Sequence, residues 1–260
     1  ICIKMNKFDD LLERFEGLLN RFEGSEGAVA SSDGASGSAK PKVKVHKYIK
    51  EFDTLIPANL EKMIEIGKTH ENKKIAELSQ CTKDIFVLIR TILQALVLSK
   101  KTTTEELVKV VSPPIKALDK VIKKSYKDPT IKNHAKVIMD GLQLIQLSLF
   151  DDPEDMGKEY LAQIDFYGNK ILVEGKSPDT DWYRTYRKDI CQVYHNFLKE
   201  AYNNGIPWNL KGGDFAENFA KLFAEAKGTA PVEEKKVEKK ESKKEEKKEK
   251  TLSTTSKAAV

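Results

Sequence analysis

One short stretch of the chain combines residues that are used in phosphate chemistry. Glu-Gly-Lys-Ser-Pro-Asp at 174–179 places Gly175, Lys176 and Ser177 side by side. A phosphate-binding loop of the Gly-x-x-x-x-Gly-Lys-Ser type needs a second glycine five residues before Gly175, and that position is Lys170. No strand pattern precedes the stretch, and Pro178 is typical of the first turn of a helix. We therefore expect a helix start here and no nucleotide site.

Histidine and cysteine give no catalytic or metal-binding pattern. A di-metal site in a helical bundle needs a carboxylate three residues before each histidine. The residues at that distance from the four histidines are Val43, Gly67, Ile131 and Gln192. The three cysteines are odd in number and far apart, which favours a reducing, cytosolic setting over a disulfide framework. We expect no catalytic, cofactor-binding or metal-binding residues, and hence no enzyme.

These residues belong to a block whose apolar spacing is helical throughout. Over residues 45–226 apolar side chains recur every three or four positions, and no period of two predicts a strand. Breakers divide the block at 67–71, 101–104, 127–130, 151–153 and 175–178. About six helices of roughly 20 residues with short connections predict an all-α, antiparallel six-helix bundle.

Single residues add detail to this bundle. The run Thr-Thr-Thr-Glu-Glu at 102–106 has the threonine cap and acidic first turn of a helix start. Pro57 and the pair Pro113–Pro114 should kink or interrupt their helices. The aromatic side chains of Trp182, Tyr183 and Tyr186 are expected in the core rather than in a contact surface.

Ahead of the bundle, a heptad is written twice, as Leu-Leu-Glu-Arg-Phe-Glu-Gly and Leu-Leu-Asn-Arg-Phe-Glu-Gly at 11–24. Its leucines and phenylalanines alternate at spacings of four and three, which predicts a left-handed coiled-coil helix over 5–23 with the seam Phe8, Leu12, Phe15, Leu19 and Phe22. Leu11 and Leu18 widen the apolar stripe, which favours more than two strands. So short a helix is marginal alone and needs a partner. Self-association is favoured over docking onto its own bundle, because residues 24–44 form a Gly/Ser/Ala-rich flexible linker.

Composition and the chain ends bound the class of protein. The net charge is +5 over 260 residues with both signs plentiful, which does not indicate a nucleic-acid binder. No apolar run is long enough to span a membrane, and no secretory signal is visible.

The chain starts Ile-Cys-Ile-Lys-Met, so we expect Met5 to be the true start or the sequence to be a fragment. The Lys/Glu-rich tail at 227–260 is expected to be a solvated spacer or a weak contact for an acidic partner.

Several of these segments resemble the cyclase-associated proteins. The heptads are similar to the family's amino-terminal signature at Leu11, Leu12, Arg14, Glu16, Arg21 and Glu23, and they depart from it where Phe15 and Phe22 replace leucines. Further similarity follows in family order at residues 45–56, which begin Val-His-Lys-Tyr, at residues 132–146, which begin Lys-Asn-His-Ala, and across residues 160–208. The resemblance covers roughly residues 8–212.

The resemblance implies a function. The family's amino-terminal half is an oligomerising coil followed by a six-helix bundle that binds cofilin–actin complexes and speeds filament disassembly at pointed ends. In some lineages the coil binds adenylyl cyclase, and a signalling scaffold of that kind is the alternative. The family's carboxyl half promotes nucleotide exchange on actin through a β-sheet domain. Residues 227–260 carry no strand pattern, so that activity is not expected here.

The resemblance also assigns a candidate contact surface. The segment Lys-Lys-Ser-Tyr-Lys-Asp-Pro-Thr-Ile-Lys-Asn-His at 123–134 is basic and, taken alone, is typical of a solvated turn. In the family the matching connection belongs to a basic surface implicated in binding actin, which is acidic. The residues expected to contact actin or cofilin are Lys124, Lys127, Lys132, Asn133 and His134. The expected location is the cytoplasm, on the actin cytoskeleton.

Overall fold

The computed structural model describes residues 45–228, and the regular elements in that range are helices. In chain order they are α1 (Lys47–Leu55), α2 (Pro57–Thr69), α3 (Lys73–Leu98), α4 (Thr104–Tyr126), α5 (Lys132–Gly141), α6 (Leu144–Leu147), α7 (Glu154–Glu174), α8 (Ser177–Arg184), a π-helical segment (Thr185–Gln192), α9 (Val193–Ala201) and α10 (Phe215–Ala226). Between residues 45 and 228 no strand forms, only two isolated bridges. The predicted heptad coil at 5–23, the linker at 24–44 and the tail from 229 onward lie outside the described residues.

The helices form the predicted all-α bundle. Two pairs of short helices (α1 with α2, and α5 with α6) and the continuous run from α8 to α9 each count as one segment, which gives six segments in chain order up to Ala201. Consecutive segments such as α2 and α3, or α3 and α4, pack together across short connections, so neighbours run antiparallel. Helix α10 adds a seventh segment that packs on α3. None of the helices in the described range is both long and apolar enough to cross a membrane.

Local sequence signals set the helix starts. Thr103 caps α4 in a capping box: its hydroxyl accepts from the Glu106 N–H, and the Glu106 side chain accepts from the Thr103 N–H. Pro57 lies in the first turn of α2, where its missing N–H costs nothing, and it separates α2 from α1. Pro178 occupies the first turn of α8 in the same way. The helix starts expected at 102–106 and within 174–179 are confirmed.

Unlike Pro57, which lies in the first turn of a helix, the pair Pro113–Pro114 lies in a helix interior. Both prolines lie inside α4, which continues without interruption from Thr104 to Tyr126. Of the two outcomes expected from the sequence, an interruption at this pair is therefore wrong. Helix α4 buries few residues, Leu107, Val111 and Ile122 among them, so most of its surface faces solvent. Carbonyl groups that lose an N–H partner to a proline in such a helix can bond to water instead.

Helix α3 is the centre of the bundle. It is apolar around most of its circumference and packs against α1, α2, α4, α5, α6 and α10. Its one arginine, Arg90, makes a two-pronged ion pair with Asp53 of α1, with N–O distances of 2.6 and 2.7 Å. This pair fixes α1 against the central helix without leaving either charge unmatched.

The run from α8 through the π-helical segment to α9 supplies the large aromatic side chains of the core. Trp182, Tyr186 and Tyr194 are each at most 1% exposed, and Tyr183 is 3% exposed. The Trp182 indole N–H donates to the Ser79 hydroxyl of α3 at 2.8 Å, and Tyr194 packs edge-on against Phe86. The expectation that Trp182, Tyr183 and Tyr186 belong to the core is confirmed.

Candidate functional site

The basic connection between α4 and α5, residues 127–131, is fixed to the start of α3. Asp128 accepts hydrogen bonds from the Thr130 N–H at 2.9 Å and from the Thr130 hydroxyl at 2.7 Å, and it forms an ion pair with Lys74. The Asn72 side-chain amide donates to the Thr130 hydroxyl at 3.0 Å. The Lys74 ammonium, followed by Thr130, lowers the pKa of Asp128 to about 2. Asp128 is thus ionised at neutral pH, and its contacts connect the loop to the start of α3.

Three lysines lie in or beside this loop: Lys127 in the loop itself, Lys124 in the last turn of α4 and Lys132 at the start of α5. Lys124, Lys127 and Lys132 are exposed, and none of them has an ion pair among the residues that the structure describes. The Lys132 ammonium lies 5.4 Å from the centre of the Tyr126 ring, which orients it without neutralising it. Their charges are therefore available to an approaching acidic surface.

Asn133 and His134 occupy different positions from the lysines. Asn133 is half-buried and donates to Glu174 of α7 at 3.5 Å, a distance at the long limit of a hydrogen bond. His134 is only 7% exposed and packs edge-on against the Trp182 indole, with ring centres 5.1 Å apart. Of the predicted contact residues, the three lysines are exposed, Asn133 is half-buried and His134 is buried. A contact of any of these five residues with actin or cofilin stays a prediction, and the burial of His134 disfavours a direct contact through its ring.

Asp179 lies between His134 and a second histidine, His70. The His70 Nδ1 accepts from the Asn72 N–H at 3.0 Å, so its Nε2 carries the proton and donates to the Asp179 carboxylate at 3.1 Å. The Nε2 of His134 is 3.0 Å from the same carboxylate oxygen but lacks hydrogen-bond geometry. Burial lowers the pKa of His134 to about 4, although the Asp179 charge opposes this. His134 is therefore neutral at pH 7.

The cluster of His70, Asp179 and His134 was not predicted, because its members lie far apart in the sequence. Its position follows from the topology. In an antiparallel bundle alternate connections lie at the same end, so the connections after α2, α4 and α7 meet there. His70 follows α2, His134 opens α5 and Asp179 is in the first turn of α8. Polar residues at alternate connections are thus the sequence signal that could have identified the cluster.

Among residues 45–228, no three histidine, cysteine, aspartate or glutamate side chains are placed so that they could hold a metal ion, and the cluster of His70, Asp179 and His134 is not such a site. Cys81 and Cys191 are buried, and burial raises the pKa of each thiol to about 12, so neither is a nucleophile at neutral pH. What this end of the bundle offers is an ordered, positively charged surface.

Beside this surface, α7 and the run from α8 into the π-helical segment enclose an open cleft of about 490 Å³. Arg187 binds the Asp165 carboxylate with two N–O distances of 2.7 and 2.9 Å, and the Tyr183 hydroxyl donates to the same carboxylate at 2.6 Å. Arg184 and Lys188 also line the cleft. Because Arg187 neutralises Asp165, these two residues give the cleft a positive character.

Comparison with known proteins agrees with this architecture. Residues 52–206, more than half of the chain, match the family described as the CAP N-terminal domain. An adenylyl cyclase-associated protein of Dictyostelium discoideum is 26% identical over 205 residues, which is 72% of this chain. The chain spans 43% of the length of that relative.

Solved structures agree on the fold. The N-terminal domain of the adenylyl cyclase-associated protein (CAP) from Dictyostelium discoideum superposes with a TM-score of 0.50 at 20% identity, over 64% of this chain and 97% of that domain. A second crystal structure of a CAP N-terminal domain gives a TM-score of 0.50 at 20% identity, over 65% of this chain and 94% of that one. With the family match over 52–206 and the helical bundle in the same order, the chain belongs to the family of the CAP N-terminal domain.

Proposed function

We propose that this protein is an actin-turnover factor that binds cofilin–actin through its helical bundle and promotes filament disassembly at pointed ends. The observation that carries the proposal is the α4–α5 loop, beside which Lys124, Lys127 and Lys132 are exposed and have no ion pair among residues 45–228, in a chain of this family. The protein acts by binding, without a cofactor or a catalytic step.

The geometry favours rapid recognition of an acidic partner. None of the three lysines is ion-paired with a carboxylate among residues 45–228, so all three can attract an acidic surface such as that of actin and raise the association rate. The Lys74–Asp128 pair and the Asn72–Thr130 hydrogen bond already order the loop, so binding loses little conformational freedom there. The buried ring of His134 packs against Trp182 and so links the first turn of α5 to α8.

Self-association would strengthen this activity. The heptad seam at 5–23 joins several copies, and the 24–44 linker lets neighbouring bundles reach one filament end together. Linked copies raise the effective concentration at that end. One solved CAP N-terminal domain is described as showing variable oligomerisation, which is consistent with assembly being a variable property in the family. The expected location is the cytoplasm, on actin filaments.

A second candidate function is a signalling scaffold. The relative from Dictyostelium discoideum is an adenylyl cyclase-associated protein, and this name favours a chain whose heptads bind adenylyl cyclase. The scaffold differs from the turnover factor in one respect that can be measured. If the protein is a signalling scaffold, its helical bundle has no effect on actin filaments.

The test measures pointed-end depolymerisation of cofilin-decorated filaments by single-filament fluorescence microscopy, with the full chain added. The turnover factor accelerates shortening, and reversing the loop charges by Lys124→Glu, Lys127→Glu and Lys132→Glu reduces the acceleration. A matched control reverses three exposed lysines near the opposite end of α3 and on α10: Lys100, Lys211 and Lys221. Shortening at the unassisted rate with the parent chain would exclude the turnover factor and favour the scaffold.

A further inference from the structure

The outer edge of α4 is a line of lysines. Helix α4 turns Leu107, Val111 and Ile122 toward the bundle, and its opposite side faces solvent. That opposite side carries exposed lysines at spacings of seven, four, four and three residues, which keep them on one face of the helix: Lys109, Lys116, Lys120, Lys124 and Lys127. We refer to these five residues as the α4 ridge. At a rise of about 1.5 Å per residue, the ridge is about 27 Å long.

The charges of the α4 ridge are not matched by carboxylates of the same helix. None of the five lysines has an ion pair among residues 45–228. Asp119 lies beside the ridge, but it forms an ion pair with Lys123 at 2.6 Å, so these two charges offset each other. Glu105 and Glu106 lie ahead of the ridge in the first turn, where they favour the helix start. Beyond that turn, the outer edge of α4 has a net positive charge only.

The helices that pack against α4 do not reverse this sign. They are α3, α5 and α10, and their exposed charged residues are four lysines and three glutamates: Lys73, Lys74, Lys132, Lys221, Glu77, Glu217 and Glu225. Lys74 is already paired with Asp128, which leaves three charges of each sign. The flanks of the ridge are therefore balanced, and the five ridge lysines decide the charge of this side of the bundle.

We propose that actin binds along the whole outer edge of α4 and not at the α4–α5 loop alone, and this inference rests on the proposed function. A ridge of one sign selects a partner surface of the opposite sign, and actin is acidic. Two copies of the ridge would repel each other, which disfavours a symmetric contact between bundles. Continuity with the loop favours actin over other acidic proteins, because Lys124 and Lys127 belong to both the loop surface and the ridge.

An anionic membrane is a different surface that a line of lysines can meet. Helices that bind at a membrane surface insert an apolar face among the lipids. The apolar face of α4 packs on the bundle instead, and its exposed valines, Val108 and Val121, lie to either side of the ridge. A membrane would thus touch the ridge through charge alone, whereas a folded protein can also place single carboxylates against single lysines. These observations favour a protein partner.

The ridge should act on the rate of association. Exposed lysines attract an acidic surface over a distance, and salt screens this attraction. Reversing three lysines changes the charge of the ridge by six, whereas neutralising them changes it by three. The logarithm of the association rate should therefore fall about twice as far on reversal as on neutralisation, and both effects should shrink at high salt. A loss caused by altered packing would not follow the charge in this way.

The experiment measures binding of monomeric cofilin–ADP-actin, as soluble analyte, to the immobilised full chain. The reversal variant is Lys109→Glu, Lys116→Glu and Lys120→Glu, and the neutral variant is Lys109→Gln, Lys116→Gln and Lys120→Gln. At low salt we expect the association rate constant to fall about tenfold on reversal and about threefold on neutralisation, with dissociation nearly unchanged. The matched control is the triple lysine reversal that also serves as the control for the loop variant, and it should match the parent. Thermal melting checks folding, and the neutral variant alone decides if reversal lowers the melting temperature.

The outcomes separate the ridge from the proposed function. Parent-like association of both ridge variants, with the loop variant still impaired, overturns the ridge assignment and leaves the proposed function intact. Parent-like association with actin, together with loss of binding to phosphatidylserine vesicles in the ridge variants, shows a membrane contact and likewise overturns the assignment to actin. No binding of cofilin–ADP-actin by the parent chain refutes the proposed function itself.

Discussion

His134 gives the bundle a pH dependence whose sign and size follow from its position. Burial against Trp182 lowers its pKa from the usual 6.5 to about 4. Between these two values the unfolded chain binds a proton at this histidine and the folded chain does not. The free energy of unfolding therefore rises with pH through this window. The stability that depends on neutral His134 is fully present above pH 6.5 and is lost as the pH falls toward 4.

The magnitude follows from the difference in proton affinity. A change of one in pKa corresponds to about 1.4 kcal/mol, so the drop from 6.5 to about 4 is worth about 3 kcal/mol. His70 shares Asp179 with His134, so the titration midpoint belongs to the whole cluster. A loss of about 3 kcal/mol is a large part of the 5–15 kcal/mol by which most domains are stable.

The assay is urea unfolding of the parent chain and of His134→Gln from pH 4 to pH 7. Glutamine keeps a polar group of similar size near Asp179 but does not titrate. The parent should lose stability relative to the variant as the pH falls below about 6.5. Taking the difference between the two chains removes the contributions of titrating groups outside the cluster of His70, Asp179 and His134. If that difference stays constant from pH 7 to pH 4, the buried, neutral state assigned to His134 is wrong.

Three further predictions test other parts of the account. Burial raises the pKa of Asp84 to about 6, so the free energy of unfolding of the parent should fall as the pH rises from 3.8 through 6. In urea unfolding at pH 7, Asp84→Asn should remove that loss and be more stable than the parent by about 1–3 kcal/mol. In Gly168→Ala the new methyl carbon would lie 1.9 Å from the Tyr183 ring, so the melting curve should show a loss of about 1–3 kcal/mol. In analytical sedimentation the chain should assemble into an oligomer larger than a dimer. The variant Leu12→Asp with Leu19→Asp should be a monomer, because it places charges in the coiled-coil seam. A monomeric parent would contradict the predicted coiled coil.

Local signals in the sequence were sufficient to predict most helix boundaries. Caps and breakers act within a few residues, so Thr103 and Pro178 mark helix starts wherever the helices pack. The aromatic residues of 182–186 could be assigned to the core because large rings bury the most apolar area. The heptads at 5–23 are predicted by the same kind of local periodicity, but they lie outside the described residues.

Features that depend on packing could not be predicted. The π-helical segment at 185–192 has no breaker or cap that marks it, and α4 continues through Pro113–Pro114, where an interruption was one of the two outcomes expected from the sequence. The cluster of His70, Asp179 and His134 forms only when three connections meet at one end of the bundle. The placement of His134 shows the same limit, because a histidine beside a basic loop could equally point outward.

The outer face of α7 shows why the exposure of an apolar side chain is harder to predict from sequence than its burial. Phe166 and Tyr167 are neighbours with similar side chains, yet Phe166 faces solvent and Tyr167 packs toward α5. Which of the two lies inward depends on the rotation of α7 about its axis. That rotation is set by Gly157 and Gly168, where His195 and Tyr183 pack directly on the helix backbone.

The most direct test of the central claim is the rate of pointed-end depolymerisation as a function of ionic strength. At low salt the full chain should accelerate the shortening of cofilin-decorated filaments. The variant Lys124→Glu, Lys127→Glu and Lys132→Glu should lose most of that acceleration, about tenfold, because exposed lysines act through screened attraction. The two chains should converge at high salt, where the Debye length falls to about 3 Å. Equal acceleration by both chains at low salt would contradict the assignment of this loop as the actin-binding surface.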